Sequence, residues 1–202
     1  MSYLSQIQNR IDHFEPGTIF ISNDFLDIAS NETVRRTLNK LTHEHKIKRI
    51  MNGFYYSPAY SELIQEYEAF GVHELAISIA RKYNWEIAPF GIACLNILGL
   101  STQVPAKNIY VTNGKNKIYR INRKVIEFKK VSNKEISNMS LKTKIVIQAI
   151  KEVGKNNLTK KDISRIRHRL SEVEKQNLLK EASCTTVWIY DYIKEICKEQ
   201  YE

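Results

Sequence analysis

Apolar and polar positions alternate along the first sixty residues with a period that changes several times. Leu4, Ile7, Ile11 and Phe14 recur at steps of three and four, the spacing of one helix face. Ser2 precedes them as a candidate N-cap, and Pro16-Gly17 ends the element. Thr18–Ile21 is a β-branched and aromatic run that reads as a strand. Ser22 then opens a short helix over 23–28, with Phe25 and Ile28 inward. Ser30-Asn31 supplies the turn and cap of a longer helix, from about Glu32 to Glu44, with Val34, Leu38 and Leu41 on its apolar face. Two β-prone runs, Ile47–Ile50 and Phe54–Tyr56, flank Asn52-Gly53, the dipeptide that most favours a two-residue hairpin.

Further along, residues 59–72 mix acidic and amide positions with Gly71 and read as a connector. His73–Tyr83 has Leu75, Ile79 and Tyr83 at steps of four, a helix. Trp85–Ala88 is a short strand ended by Pro89, and Ile92–Leu98 an apolar helix ended by Gly99. The runs 108–112, 117–121 and 124–131 read as three strands joined by Asn113-Gly114 and Asn122-Arg123, an antiparallel meander. From Met139 onward the pattern is helical. Leu141, Ile145, Ala149 and Val153 form one stripe, stopped by Gly154. Thr159…Asp162 and Ser171…Glu174 are capping boxes that each start a helix. A last helix carries Val187, Trp188, Tyr192 and Ile196.

The expected fold class is therefore α+β. The first part, residues 1–58, runs helix, strand, helix, turn, helix, hairpin. That is the order of a winged helix-turn-helix, whose third helix enters the DNA major groove while the hairpin wing touches the backbone. After the connector at 59–72, residues 73–202 form a second α+β domain with a small meander and C-terminal helices. A helical wheel centred on Val34, Leu38 and Leu41 turns Glu32, Arg36, Asn39, Lys40 and His43 outward, with Arg35 on the flank. Arginine bonds bidentately to guanine and asparagine to adenine, so these side chains suit groove reading. Thr33 completes the candidate set on the helix, and Lys48, Arg49 and Asn52 complete it on the wing.

Charge supports this picture. The chain has 31 Lys and Arg against 22 Asp and Glu, a formal net charge of +9. The excess is uneven, since residues 1–60 hold 7 basic and 6 acidic side chains, so it is not an N-terminal arm; a basic balance favours polyanionic partners because each phosphate contact releases counterions. A second basic surface is expected from Arg120, Arg123, Lys124, Lys129 and Lys130 around one strand turn, and from Lys160, Lys161, Arg165, Arg167 and Arg169 along one helix. The bland alternative is two solvated faces. Tyr110 and Tyr119, close to the first patch, read as strand packing, with base stacking as the alternative.

Several classes of chemistry find no foothold. There is no Walker A, no G-x-G-x-x-G and no G-x-S-x-G. His43-Glu-His45 lacks further ligands at zinc spacing, so no metal is expected. No carboxylate pair is marked as an acid/base couple. The expectation is a protein that is not an enzyme and needs no cofactor. Cys94, Cys184 and Cys197 are odd in number and widely spaced, which reads as free thiols. No apolar run approaches the ~20 residues of a membrane span, and the N-terminus lacks signal-peptide features, so a cytoplasmic location is expected.

Gly17-Thr-Ile-Phe20, Asp24-Phe25, Val34-Arg-Arg-Thr-Leu-Asn-Lys-Leu41 and Ile50-Met-Asn-Gly-Phe-Tyr55 together resemble the N-terminal winged helix of AbiEi-type antitoxins. Pro89-Phe-Gly91, Asn96-Ile-Leu-Gly-Leu-Ser-Thr-Gln-Val-Pro105, Tyr110-Val-Thr112, Ile126-Glu-Phe-Lys129 and Trp188 resemble the second half of an uncharacterised branch of that family. The resemblance spans roughly residues 3–197 and implies a bacterial type IV toxin–antitoxin system. Such antitoxins repress their own operon through the winged helix. They counter a nucleotidyltransferase toxin without a stable complex. It further implies Arg35, Arg36, Asn39 and Lys40 as groove readers, with Arg49 and Asn52 in the wing. Met51 stands at the wing tip where a basic or small residue is expected. The alternative function is a winged-helix scaffold acting as a ligand-sensing regulator or a protein-docking module, since fold does not fix function.

Overall fold

Ser2 starts the first helix as its cap: its hydroxyl accepts the backbone N–H of Ser5 at 3.2 Å, and α1 (Tyr3–Asp12) buries Ile7 and Ile11. This is a computed structural model, which describes residues 2–63 and 65–198. The architecture is α+β. By internal contacts the chain divides into two units: residues 1–84 with 120–124, and residues 85–119 with 125–202.

In the first unit, β1 (Ile19–Phe20) follows α1. The short helix expected over 23–28 is a 3-10 turn, Ser22–Phe25. The Asp24 carboxylate caps its start by accepting the Ile21 N–H at 2.9 Å. α2 (Asn31–His43) is capped by Ser30 and buries Val34, Thr37, Leu38 and Leu41. β2 (Lys48–Met51) and β3 (Phe54–Tyr56) form the hairpin. Gly53 takes φ +79° at its tip, a left-handed conformation that glycine adopts without steric cost. The sheet order is β1-β3-β2, with both pairings antiparallel. Arg49 pairs with Tyr55 and Met51 with Phe54, leaving Ile50 as an extra residue. Such a bulge bends the strand and re-aims its side chains. The core is Ile7, Ile11, Phe20, Phe25, Val34, Leu38, Leu41, Ile47 and Tyr55.

Residues 59–72, expected as a bare connector, contain a small hairpin, β4 (Tyr60–Ser61) with β5 (Glu66–Tyr67). The Tyr60 and Tyr67 rings meet edge to face at 5.3 Å. α3 (Val72–Lys82), read from the sequence as the opening helix of the second domain, belongs to the first unit. The Ser78 hydroxyl and the Arg81 guanidinium both donate to the Ile19 carbonyl at 3.3 Å. In the same unit Lys124 donates to the Phe70 carbonyl at 2.7 Å.

The second unit holds β6 (Ile87–Pro89), α4 (Ile92–Ile97), β7 (Asn108–Thr112), most of β8 (Lys117–Ile121) and of β9 (Lys124–Lys130), then α5 (Leu141–Val153), α6 (Lys160–His168), α7 (Glu172–Glu181) and α8 (Val187–Cys197). The expected meander is not formed. The strand order is β6-β7-β9-β8, and β7 runs parallel to β9. The link from β7 to β8 passes the end of β9, where Asn116 Oδ1 accepts the Lys130 N–H at 2.7 Å, while Asn113 Oδ1 at its other end accepts the Glu86 N–H beside β6 at 2.9 Å. Gly114 lies under the Trp85 ring, where a Cβ would meet it at 2.3 Å.

α5 also differs from the expected single stripe. It is buried from Thr143 to Ile150, while Leu141 is exposed. A helix covered on all sides is apolar all round, and α5 departs from that at Lys144 and Gln148. Lys144 donates to Glu86 at 2.5 Å. Neither the carbonyl nor the amide nitrogen of the Gln148 side chain has a hydrogen-bond partner among the described residues. Both capping boxes form as read, at Thr159/Asp162 and Ser171/Glu174. The three cysteines are free thiols, with Cys94 buried and Cys184 exposed. Among the described residues no helix is long and apolar enough to cross a membrane.

Candidate nucleic-acid interface

The residues singled out on α2 and the wing do not share one face; they separate into two groups. Arg35 and Asn39, one turn apart on α2, face a cavity of about 430 Å³ that Arg49, Asn52 and Tyr55 also line. Ser22, Asn23, Asn31, Gly53 and Lys82 complete it. Arg49 donates to the Asn39 carbonyl oxygen and, at 3.1 Å, to the Tyr55 hydroxyl. The Tyr55 hydroxyl in turn donates to the same Asn39 oxygen at 3.4 Å. The Arg49 guanidinium also lies 5.3 Å from the centre of the Tyr55 ring. Bidentate adenine reading needs both the carbonyl and the amide of an asparagine. Here Asn39 already uses its carbonyl to hold Arg49 in place.

The second group lies along the rest of the exposed surface of α2. Arg36 pairs with Glu32 at 2.5 Å, and Lys40 with Glu44 at 3.8 Å. Both pairs are well exposed, so each holds its arginine or lysine only weakly. His43 is the exposed last residue of α2. The Thr33 hydroxyl lies 3.0 Å from that of Ser30, inside the cap of the helix. On β2, the Lys48 ammonium sits 4.8 Å over the Tyr67 ring.

The carboxylates of this unit are distributed unevenly. Asp27 takes Arg10 at 2.6 Å, Asp24 takes Arg81 at 2.9 Å, and Glu44 takes Lys46 at 3.1 Å. Arg35, Arg49 and Lys82 have no carboxylate partner among the described residues. The cavity thus collects three cations, with four asparagines around them and no acidic side chain in its lining. Asn31 is the first residue of α2, whose N-terminus adds a partial positive charge.

Lys82 escaped the sequence reading. Its ammonium rests 4.6 Å over the Phe54 ring, and a Cβ on Gly53 would lie 2.8 Å from it. Nothing in the local pattern ties it to the wing, because the periodicity of 73–83 indicates only a helix. The antiparallel hairpin and the cap of α2, by contrast, were both written in local signals.

The second basic surface is only partly available. Arg120, Arg123, Lys130, Lys160, Lys161 and Arg165 are exposed. Lys124 is held by the Phe70 carbonyl and lies 4.4 Å over the Phe70 ring. Lys129 lies 4.8 Å over the Phe90 ring and 4.0 Å from Glu127. Arg167 donates to the Glu195 and Ile196 carbonyls at 2.8 and 2.9 Å, closing the last turn of α8. Tyr110 and Tyr119 each pack at 5.9 Å against Phe128. Among the described residues no group of three or more His, Cys, Asp or Glu side chains could hold a metal ion.

The profile of one protein family, described as a family of unknown function (DUF6088), matches residues 6–178, and the chain belongs to that family. No curated protein and no solved structure matches the chain.

Proposed function

We propose that residues 1–58 form a winged helix-turn-helix and that the protein binds double-stranded DNA through α2 and the β2–β3 wing. The observation that carries this reading is the cationic, carboxylate-free cavity between α2 and the hairpin. Electrostatic contact with phosphates supplies most non-specific affinity. The element order α1, β1, 3-10 turn, α2, β2, β3 supports it, as does the antiparallel β1-β3-β2 sheet. In this reading the exposed face of α2 enters the major groove, with Arg36 and Lys40 exchanging weak ion pairs for base edges. Arg35, Arg49 and Asn52 meet the backbone.

The sequence resemblance to AbiEi-type antitoxins extends the proposal. The protein is then the antitoxin and autorepressor of a type IV toxin–antitoxin operon. It counters a nucleotidyltransferase toxin without a stable complex, its own promoter is the DNA target, and it works in the cytoplasm without catalysis of its own. Capture of genomic fragments by the purified protein, followed by sequencing, tests both levels. Enrichment of the chain's own promoter beside a nucleotidyltransferase gene is the expected result. Enrichment elsewhere leaves the DNA reading and removes the antitoxin reading. No enrichment removes both.

A further inference from the structure

The cavity beside α2 is larger than one backbone contact requires. Its 430 Å³ falls within the ~300–1,000 Å³ of small-molecule sites. Its chemistry is divided in a way that suits one ligand class. Arg35, Arg49 and Lys82 supply three cations free of carboxylates, and the N-terminus of α2 opens onto it at Asn31. Cations and the partial positive charge of a helix N-terminus together make a favourable anion environment. Around these stand the Asn23 and Asn52 side chains, able to meet ring edges and sugar hydroxyls. Arg49 is held in advance by Asn39 and Tyr55, so little ordering is left to do on binding.

We propose that this cavity seats a phosphorylated nucleotide, its phosphate between Arg35 and Arg49 and its base or sugar toward Asn23 and Asn52. This deepens the DNA reading above and rests on the same cavity. Nucleotide phosphate reaches it either from the backbone of a duplex or as a free nucleotide, and the two sources separate experimentally.

The test uses the full chain, with Arg35→Gln, Arg49→Gln, the double variant, and Lys180→Gln as a single-charge control in α7 of the second unit. Arg35 makes no ion pair among the described residues, so its variant is expected to melt as the parent does. Duplex DNA binding is measured by anisotropy, and ATP, GTP and pyrophosphate binding by calorimetry. Each cavity variant is expected to weaken binding of the phosphate-bearing ligand tenfold or more, while Lys180→Gln changes it less than twofold. Saturable ATP or GTP binding displaced by pyrophosphate assigns the site to free nucleotide. Binding of duplex alone, with a salt slope reduced by roughly two contacts in the double variant, assigns it to backbone. Duplex binding unaltered in the double variant, with no nucleotide binding, overturns the cavity proposal and leaves the DNA reading standing. Nucleotide binding lost in the double variant, with no duplex binding by the parent, supports the cavity and overturns the DNA reading. No binding of any probe overturns both.

Discussion

Single side chains divide here into those that hold the fold and those left available. Leu38 is fully buried under α2, and Leu38→Ala opens a cavity expected to lower stability by about 2–5 kcal/mol. Arg36 lies on the same helix with its side chain 79% exposed. Arg36→Ala is expected to leave the melting temperature nearly unchanged, while weakening operator discrimination by about 1–3 kcal/mol. Competition between matched and scrambled duplexes, beside thermal melts, measures the pair. A stability loss for Arg36→Ala comparable with Leu38→Ala would place it in the core instead. The cysteines make a second contrast. Burial, then the nearby Glu152 carboxylate, push the Cys94 thiol up to about 12, and thiolate is the reactive form. A thiol reagent at pH 8 is expected to label exposed Cys184 in the native protein and Cys94 only after unfolding, as mass spectrometry of peptides will show. Leu38 and Arg36 were both legible in the sequence, because a helix period of 3.6 assigns faces. The bond between Asn39 and Arg49 was not legible, since Arg49 lies across a turn whose geometry no local pattern contains.

Among the elements, α5 carries the clearest expectations. Its N-terminus is held by Glu181 of α7, whose carboxylate accepts from the Ser140 N–H at 2.9 Å and the Ser140 hydroxyl at 2.8 Å. Burial alone would raise the Glu181 pKa. Hydrogen bonds from Thr143 and Ser140 and the Lys144 charge outweigh that, and the net shift is below the ordinary 4.5. A lowered folded pKa means stability that is present above 4.5 and lost as pH falls through the folded value. Urea titrations between pH 7 and pH 3 are expected to show a smaller acid loss in Glu181→Gln than in the parent. Equal slopes would mean the cap does not titrate with folding. Inside the same helix, Gln148 is buried with its amide unpartnered. An unsatisfied buried polar group costs about 1–3 kcal/mol, so Gln148→Met is expected to raise stability by a similar amount; a drop in the urea midpoint would show that the amide is needed. Element positions along the chain were mostly visible beforehand, because caps at Ser2, Ser30, Thr159 and Ser171 are local. Strand order was not. The parallel pairing of β7 with β9 joins residues remote in sequence, Asn108 with Ile126 through Thr112 with Lys130, and no periodicity reports that.

For the molecule as a whole, the +9 charge and the cationic cavity make one joint prediction. Affinity for duplex DNA is expected to fall with salt by roughly 0.9 log units per phosphate contact for each tenfold rise; a flat profile in anisotropy titrations would remove the electrostatic reading. The extent of the first unit makes another. Tyr56 meets Phe70 at 5.9 Å, and α3 donates twice to the Ile19 carbonyl. A fragment of residues 1–58 lacks these partners and is expected to melt well below one of residues 1–84. Indistinguishable melts by circular dichroism would make the shorter piece self-sufficient. This wider boundary was hidden because α3 looks, from its own residues, like the start of something new.

Lys124 and its neighbours complete the first unit although they come late in the chain. On a translating ribosome the first unit therefore waits after Asn84 for its last hydrogen-bond donor, a delay of ~2–8 s at ordinary rates of synthesis. During that interval the Phe70 carbonyl has no lysine, while α2, the wing and the cavity between them have already emerged. The nascent protein can thus present its cationic face before its first unit is closed. A pause engineered into the message between codons 85 and 119 lengthens that exposure without altering a single residue.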